Sequence, residues 1–244
     1  MAEFKYLTSE LEELTKLRNY YRWIFDEIRP FLGTRLAEIG AGLGTFTDVL
    51  AANHLTSKPT AQLTAFEPAG NLYRQLADRL TRNHGALVQA RRVVIHHGYF
   101  TPTHEQFDTI IMINVLEHIE DDRSAVHVAC DSLSPGGTVV LFVPALPWLF
   151  SKFDRAVGHH RRYTRPALTR LLQEERLDIV KSQYLDVVGL LPWYLLNVLG
   201  GVQTVHPWMV QLYDRIFVPV TRRIERLWPP VLGKNILMVG RKSE

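Results

Sequence analysis

The segment Glu38-Ile39-Gly40-Ala41-Gly42-Leu43-Gly44 constrains the fold more than any other stretch of the sequence. It lies between an apolar run, Arg35–Ile39, and a helical pattern over Thr45–Asn53. Glycines at alternate positions let the chain turn sharply and let a flat or charged ligand come close to the backbone. A strand, a Gly-rich turn and a helix in that order open a parallel α/β unit. The spacing speaks against a pyrophosphate site. The fingerprint G-x-G-x-x-G would place its third small residue at Thr45, whereas here it falls at Gly44, and no Walker lysine follows. A tight loop without a ligand is the plainer reading of these glycines taken alone.

The rest of the chain continues the alternation. Further strands are predicted at Gln62–Phe66, Val93–His96, Thr109–Asn114 and Thr138–Val143, and helices at Asn71–Asn83 and Asp122–Leu133. Ser134-Pro135-Gly136-Gly137 reads as a tight turn before the fifth strand. Ahead of the Gly-rich turn, Ser9–Arg29 reads as one or two amphipathic helices, with Leu11, Leu14, Leu17, Tyr21, Ile24 and Ile28 at steps of three and four. Apolar residues make up 46% of the 244 positions, enough for a sizeable core and too many for a disordered chain. The lone Cys130 excludes an internal disulfide and a CxxC site, so a reducing, cytoplasmic setting is expected. The opening MAEFKYLTSELEEL has polar and charged residues where a secretory signal would be apolar.

After Pro144 the texture changes. A helix at Pro166–Glu174, a sixth strand at Asp178–Tyr184 and a last strand at Ile236–Gly240 are predicted, with helices over about 189–228 broken at Pro192, Gly200-Gly201 and Pro207. The apolar run Val187–Leu199 is shorter than the ~20 residues needed to cross a bilayer. The net charge of +3 is too small to argue for nucleic acid, but its distribution is uneven. Arg155, Arg161, Arg162, Arg165 and Arg170 follow one another without an intervening acid. The run reads either as a solvated face or as a wall recognising carboxylate or phosphate. The 189–228 insertion carries Trp193, Tyr194, Trp208 and Trp228 with Arg215, Arg222, Arg223 and Arg226. It reads as a cap packed on the sheet, as the lining of an apolar acceptor pocket, or as a face for peripheral membrane contact.

Four motifs together resemble the class I S-adenosylmethionine-dependent methyltransferases. Glu38 to Gly44 matches their E/D-x-G-x-G-x-G turn, and Glu67 in Thr64-Ala65-Phe66-Glu67-Pro68 matches the acid that takes both ribose hydroxyls. Asn114-Val115-Leu116-Glu117-His118 is similar to their fourth-strand motif, and Ser134-Pro135-Gly136-Gly137 to the turn before their fifth strand. The resemblance covers about residues 35–145. It implies a Rossmann-like, seven-stranded, mostly parallel sheet with an antiparallel last strand, helices on both faces, and a helical cap between the last two strands. Lid helices over 1–33, a cofactor core over 34–145 and an acceptor-side half over 146–244 are expected within one domain.

The cofactor implied is S-adenosyl-L-methionine, held by Tyr20, Glu38, Gly40, Ala41, Gly42, Gly44, Glu67, Pro68, Gly98, Tyr99, Asn114, Val115 and Leu116. One departure stands out, because His97-Gly98-Tyr99-Phe100 replaces the Gly-Asp often found at the third strand's end, leaving Tyr99 to stack on or bond the adenine. The segment Gly158-His159-His160-Arg161-Arg162-Tyr163-Thr164 also resembles that of a bacterial group of these enzymes, some acting in natural-product pathways.

A small-molecule acceptor, anionic or amphiphilic, is expected, contacting Trp148, Arg161, Arg162, Tyr163 and Trp193. His118, His159 or His160 suits a general base for an oxygen or nitrogen acceptor, and Glu117 suits a carbon nucleophile. No metal is expected, since these histidines lack a carboxylate or cysteine set at ligand spacing. A non-methylating S-adenosylmethionine-binding protein, such as a cyclase or a scaffold, would share every cofactor motif. A NAD-dependent oxidoreductase is disfavoured by the glycine spacing. Nucleic acid is disfavoured because the fourth strand does not end in the D/N-P-P-Y/F motif used on flipped bases. The oligomeric state stays open.

Overall fold

The computed structural model describes residues 12–102, 105–202, 204 and 206–243. Its strands are β1 (Arg35–Ile39), β2 (Gln62–Glu67), β3 (Val93–His97), β4 (Phe107–Ile113), β5 (Leu133–Pro144), β6 (Leu177–Leu185) and β7 (Asn235–Lys242). They form one seven-stranded sheet in the order β3-β2-β1-β4-β5-β7-β6. Strands β1 to β5 pair in parallel, and β7 alone runs against both its neighbours. The expected sheet, its antiparallel last strand and the insertion before it are therefore all present. The strand order reverses between β1 and β4, the place where open α/β sheets bind ligands beyond their strand ends.

Successive strand residues feed opposite faces, so each strand fills two cores. Leu237 and Val239 pack with Leu36, Leu63 and Val140 on one face, while Ile236 and Met238 pack with Ala37, Ile110 and Leu141 on the other. The first face is covered by α1 (Arg18–Ile28), α2 (Thr45–Leu50) and α3 (Gly70–Gln89), through Ile24, Phe46, Leu76 and Leu80 among others. The second is covered by α4 (Asp122–Asp131) and α6 (Arg165–Glu174), with Val126 and Leu172 at the contact. A short helix that the pattern did not signal, α5 (Lys152–Ala156), lies between them in sequence.

Two boundaries differ from expectation. Helix α3 runs on to Gln89 through a kink at His84, since no proline or glycine pair stops it at Asn83. The Ser134–Gly137 turn lies inside β5, because Leu133 pairs with Phe107 and the ladder resumes only at Thr138 opposite Thr109. The turn is thus a large bulge, with Gly136 taking the positive φ of 72° that it needs.

The insertion comprises α7 (Leu190–Trp193) with a wide turn through Leu199, then α8 (Pro207–Leu212), a wide turn over Tyr213–Phe217, and α9 (Val218–Leu227). Asp214 from this insertion accepts hydrogen bonds from the backbone amides of Asn19 (3.1 Å) and Tyr20 (3.0 Å). It thereby supplies the N-terminal cap that α1 lacks in its own sequence. Among the described residues no helix is long and apolar enough to cross a membrane.

Candidate active site

The Gly-rich turn sits at the carboxyl end of β1, and its geometry separates its glycines. Gly40 and Gly42 have φ of 69° and 57°, in the region where side chains are strained. A Cβ on Gly40 would come within 2.7 Å of the Val115 side chain, whereas one on Gly42 meets nothing within 4 Å. Gly40 is therefore required by packing, and Gly42 leaves an open cradle. The turn is anchored by the Phe66 carbonyl, which accepts from the amides of Gly40 (2.9 Å) and Ala41 (3.0 Å).

Two buried acids flank that cradle. Glu67 is held rigidly, accepting from the Gly42 amide (2.8 Å) and the Ala69 amide (2.8 Å). Those bonds leave further lone pairs of the same carboxylate for a vicinal diol. Glu38 keeps one buried oxygen without a hydrogen-bond partner. Burial pushes its pKa up to about 8, against the pull of the nearby Thr47 hydroxyl. An open Gly42, a braced Glu67 and an unsatisfied Glu38 fit a cationic nucleoside at this strand end. Pro68 follows Glu67, and Gly98 beyond β3 donates to the Glu67 carbonyl (3.1 Å). Tyr99 is 70% exposed and so is available to a base.

Tyr20 is placed elsewhere. Its ring packs edge-on against Trp23 and Phe142 in the core, and its hydroxyl accepts from Asn235 Nδ2 at 2.6 Å. The helix that was expected to act as a lid is docked on the sheet by this residue, because its apolar stripe finds partners there. A cleft of about 900 Å³ lies beside the Gly-rich turn between α1 and α2, lined by Arg18, Tyr21, Arg22 and Thr45 among others. It does not reach Glu117 or His159.

At the end of β4 the chain bends at Asn114, whose φ is 52°, with its amide held by the Phe142 carbonyl at 2.8 Å. Val115 lies over Gly40, and Leu116 is fully buried. Next come Glu117 and His118 in a short 3-10 turn. Glu117 is 0% exposed, and neither of its oxygens reaches a donor on another described residue. Burial raises its pKa to about 8, outweighing the attraction of the Arg162 guanidinium. Burial, followed by the neighbouring His159, lowers His118 to about 3 and keeps it neutral.

The loop after β5 supplies the rest. Ser151 and Asp154 form a reciprocal capping box at the start of α5. Asp154 is fully buried and accepts from Arg162 Nε (2.8 Å), Ser151 Oγ (2.8 Å) and His159 Nδ1 (2.9 Å). Burial pushes its pKa up, but the His159 and Arg162 contacts outweigh it and hold the carboxyl at about 2. With Nδ1 so engaged, His159 presents Nε2 at 3.9 Å from Glu117 Oε1, and its ring meets His118 edge-on at 4.6 Å. The His160 amide donates to the Glu117 carbonyl (2.8 Å), stitching the two loops together, while the His160 side chain is exposed.

Glu117, His118 and His159 thus converge, and His160 stays outside. Asp154, which orients His159, had one local signal in the sequence, its Ser-x-x-Asp spacing from Ser151.

The arginines are a correction to the expected anion-binding wall. Arg162 is buried against Asp154, Arg161 pairs with Asp122 (2.9 Å), and Arg165 reaches Ser182 (3.0 Å). Tyr163 is buried, with its hydroxyl donating to Asp122 at 2.8 Å. Asp122 and Asp154 therefore neutralise two of the five arginines of the run. Trp193 donates to the Leu149 carbonyl (3.2 Å) and lies under the Arg162 guanidinium at 4.7 Å. Trp148 is exposed, edge-on to Tyr194.

Residues 11–182 match the family model described as a methyltransferase domain. The chain belongs to the methyltransferase domain family. It is an S-adenosylmethionine-dependent methyltransferase, and the cradle at Gly42 and Glu67 fits that cofactor. A ubiquinone biosynthesis O-methyltransferase of Paracidovorax citrulli is 24% identical, over 77% of this chain and 80% of its own. A Thermotoga maritima protein described as a possible histamine N-methyltransferase shares the fold, with TM-score 0.61 and 16% identity over 97% of this methyltransferase and 96% of its own chain. A [4+2]-cyclase, SpnF, shares it too, with TM-score 0.58 and 16% identity over 91% of this chain and 81% of its own.

Proposed function

We propose that this methyltransferase methylates an oxygen atom of an amphiphilic small molecule, taken up at an anionic membrane surface on which the 189–228 insertion rests. The observation that carries the proposal is the outer face of that insertion. Trp208, Leu212, Ile216, Val220, Ile224 and Trp228 recur at every fourth position and are all exposed. Arg215, Arg223 and Arg226 beside them are exposed as well. The only acids between Gly189 and Gly233 are Asp214 and Glu225, and both are buried. An apolar stripe flanked only by cations is complementary to anionic lipid, whereas a purely polar partner, acidic or neutral, would leave the stripe uncovered.

The same insertion carries Trp193, which supports Arg162 and through it the Asp154–His159 pair. Leu191, Leu195 and Leu199, next to it in the chain, are exposed too, so the insertion's apolar surface continues into the segment that supports the site. The relative named for O-methyl transfer in ubiquinone biosynthesis favours oxygen as the accepting atom. The 158–164 segment, similar to that of a bacterial group, favours a small molecule. The cofactor supplies an electrophilic methyl group on its sulfonium. The chain's own residues orient it at Glu67 and the Gly-rich turn, and the cluster of Glu117, His118 and His159 receives the acceptor's acidic O–H. Binding at the nearby strand ends brings the two together.

Sedimentation with vesicles tests the surface, and a labelled methyl group tests the chemistry. Binding to phosphatidylcholine vesicles containing phosphatidylglycerol, and not to pure phosphatidylcholine, is expected. Replacing Arg215, Arg223 and Arg226 together by glutamine removes about 1 kcal/mol each, so roughly a hundredfold of affinity at low salt. Label is expected in a lipid extract. Equal affinity for neutral and anionic vesicles overturns the surface; label confined to water-soluble acceptors overturns the acceptor class; cofactor binding without any transfer supports a non-methylating role.

A further inference from the structure

The cluster at the end of β4 has the composition of a metal site, and this inference rests on the O-methyl transfer proposed above. Glu117, His118 and His159 each offer one ligand atom, and these atoms lie within 4.8 Å of one another. Ligands about 2.0–2.1 Å from a tetrahedral divalent ion stand ~3.3 Å apart, so a small side-chain rotation closes the set. Glu117 is the decisive member, since it is wholly buried, neither of its oxygens meets a donor on another described residue, and its Oε1 lies 3.9 Å from His159 Nε2. A buried carboxylate left in that condition is costly unless a cation or a proton satisfies it.

The surroundings have the form that metal-binding histidines take. His159 Nδ1 is tied to the Asp154 carboxylate at 2.9 Å, which turns Nε2 inward and fixes its tautomer. Asp154 is locked in turn by Ser151 and Arg162. A carboxylate–histidine pair with the second nitrogen free is the usual outer support of a metal ligand. Gly158 holds His118 through its backbone.

We propose that Glu117, His118 and His159 bind one divalent cation of the zinc class, leaving an open coordination position for the acceptor oxygen. Two imidazoles and one carboxylate suit zinc, cobalt or manganese and disfavour magnesium, which prefers oxygen ligands alone. At that position the acceptor O–H loses its proton to solvent at neutral pH, as metal-bound water does. The resulting oxyanion then forms the O–C bond as the C–S bond breaks, with its electron pair staying on sulfur. No redox change accompanies the step.

Calorimetric titration of tag-free, EDTA-stripped full-length protein with Zn²⁺, and optical titration with Co²⁺, test the assignment without cofactor or acceptor. One equivalent is expected, with the visible bands of four- or five-coordinate Co²⁺. Glu117→Gln and His159→Gln should each weaken binding at least tenfold while melting as cooperatively as the native chain, and Asp154→Asn should weaken it by 10–100-fold. The exposed His127→Gln should bind as the native chain does. Absence of stoichiometric binding, or equal binding by a folded Glu117→Gln/His159→Gln double variant, overturns the site. Full transfer to a lipid acceptor in excess EDTA overturns it too, while leaving the O-methyl transfer reading in place. Metal binding with no transfer to oxygen leaves the site standing and rejects that reading.

Discussion

Gly40 and Gly42 share a positive φ, yet they answer to different demands. A side chain at Gly40 collides with Val115 at 2.7 Å, so the position is fixed by the approach of β4's end to the turn. A side chain at Gly42 has room, so its glycine serves something that is not part of the chain. Gly42→Ala therefore costs only the left-handed backbone penalty of about 1–2 kcal/mol. It places a methyl group in the cradle, and affinity for S-adenosylmethionine falls at least tenfold in a calorimetric titration. Gly40→Ala adds a clash to the same penalty, and its thermal midpoint drops further than that of Gly42→Ala. If the two variants lose the same stability and Gly42→Ala binds the cofactor normally, the cradle is misplaced. The motif itself was legible in the sequence because its spacing is local. What separates the two glycines was not, because Val115 is far from Gly40 in the chain.

The loop that contains α5 shows the same divide at the scale of an element. Apolar alternation and turn residues located the strands, since period two and period 3.6 are local properties. The arginine run gave a local impression of an open cationic wall, and the fold reverses it by bringing Asp154 and Asp122 to Arg162 and Arg161. In the same way His118 and His159, distant in sequence, meet where the His160 amide bonds the Glu117 carbonyl. Tyr20 belongs with these cases, since an aromatic on an amphipathic helix looks alike whether it covers a ligand or fills a core.

Arg162 and Asp154 are 2% and 0% exposed in their side chains, so the pair is one of partners rather than of surface charges. Removing one partner of such a pair leaves a buried charge. Arg162→Met should lower the unfolding free energy by about 3–5 kcal/mol in a urea titration. Replacing Arg162 and Asp154 together by apolar residues should recover part of that loss. A single variant that loses under ~1 kcal/mol shows that the loop is held by other contacts.

Across the whole molecule, the buried acids set a pH dependence that the net charge of +3 does not disclose. Burial raises Glu38 to about 8, and burial with the nearby Asp186 raises Glu225 to about 7, each from an ordinary 4.5. In the fold these groups stay protonated at pH values where the unfolded chain has already ionised them. Their contribution is therefore complete below pH 4.5 and is lost as pH rises through the two raised values. His54, whose pKa burial lowers from 6.5, acts in the opposite sense, but only as pH falls below that value. Between pH 6.5 and 8 the acids dominate, and the midpoint of thermal unfolding of the cofactor-free protein should fall steadily. Glu38→Gln, which is neutral throughout, should make the fall shallower and leave the share that Glu225 contributes.

A cation at the Gly-rich turn favours the ionised form of Glu38, so S-adenosylmethionine should release a proton on binding and bind more tightly as pH rises over the same range. The cofactor-free chain thus loses stability where its affinity for the cofactor grows, and the midpoint shift caused by saturating cofactor should be larger at pH 8 than at pH 6.5. Calorimetric scans with and without S-adenosylmethionine at those two pH values decide it. A shift that is equal at both, together with a pH-independent midpoint in Glu38→Gln and native protein alike, places Glu38 outside the cofactor's reach.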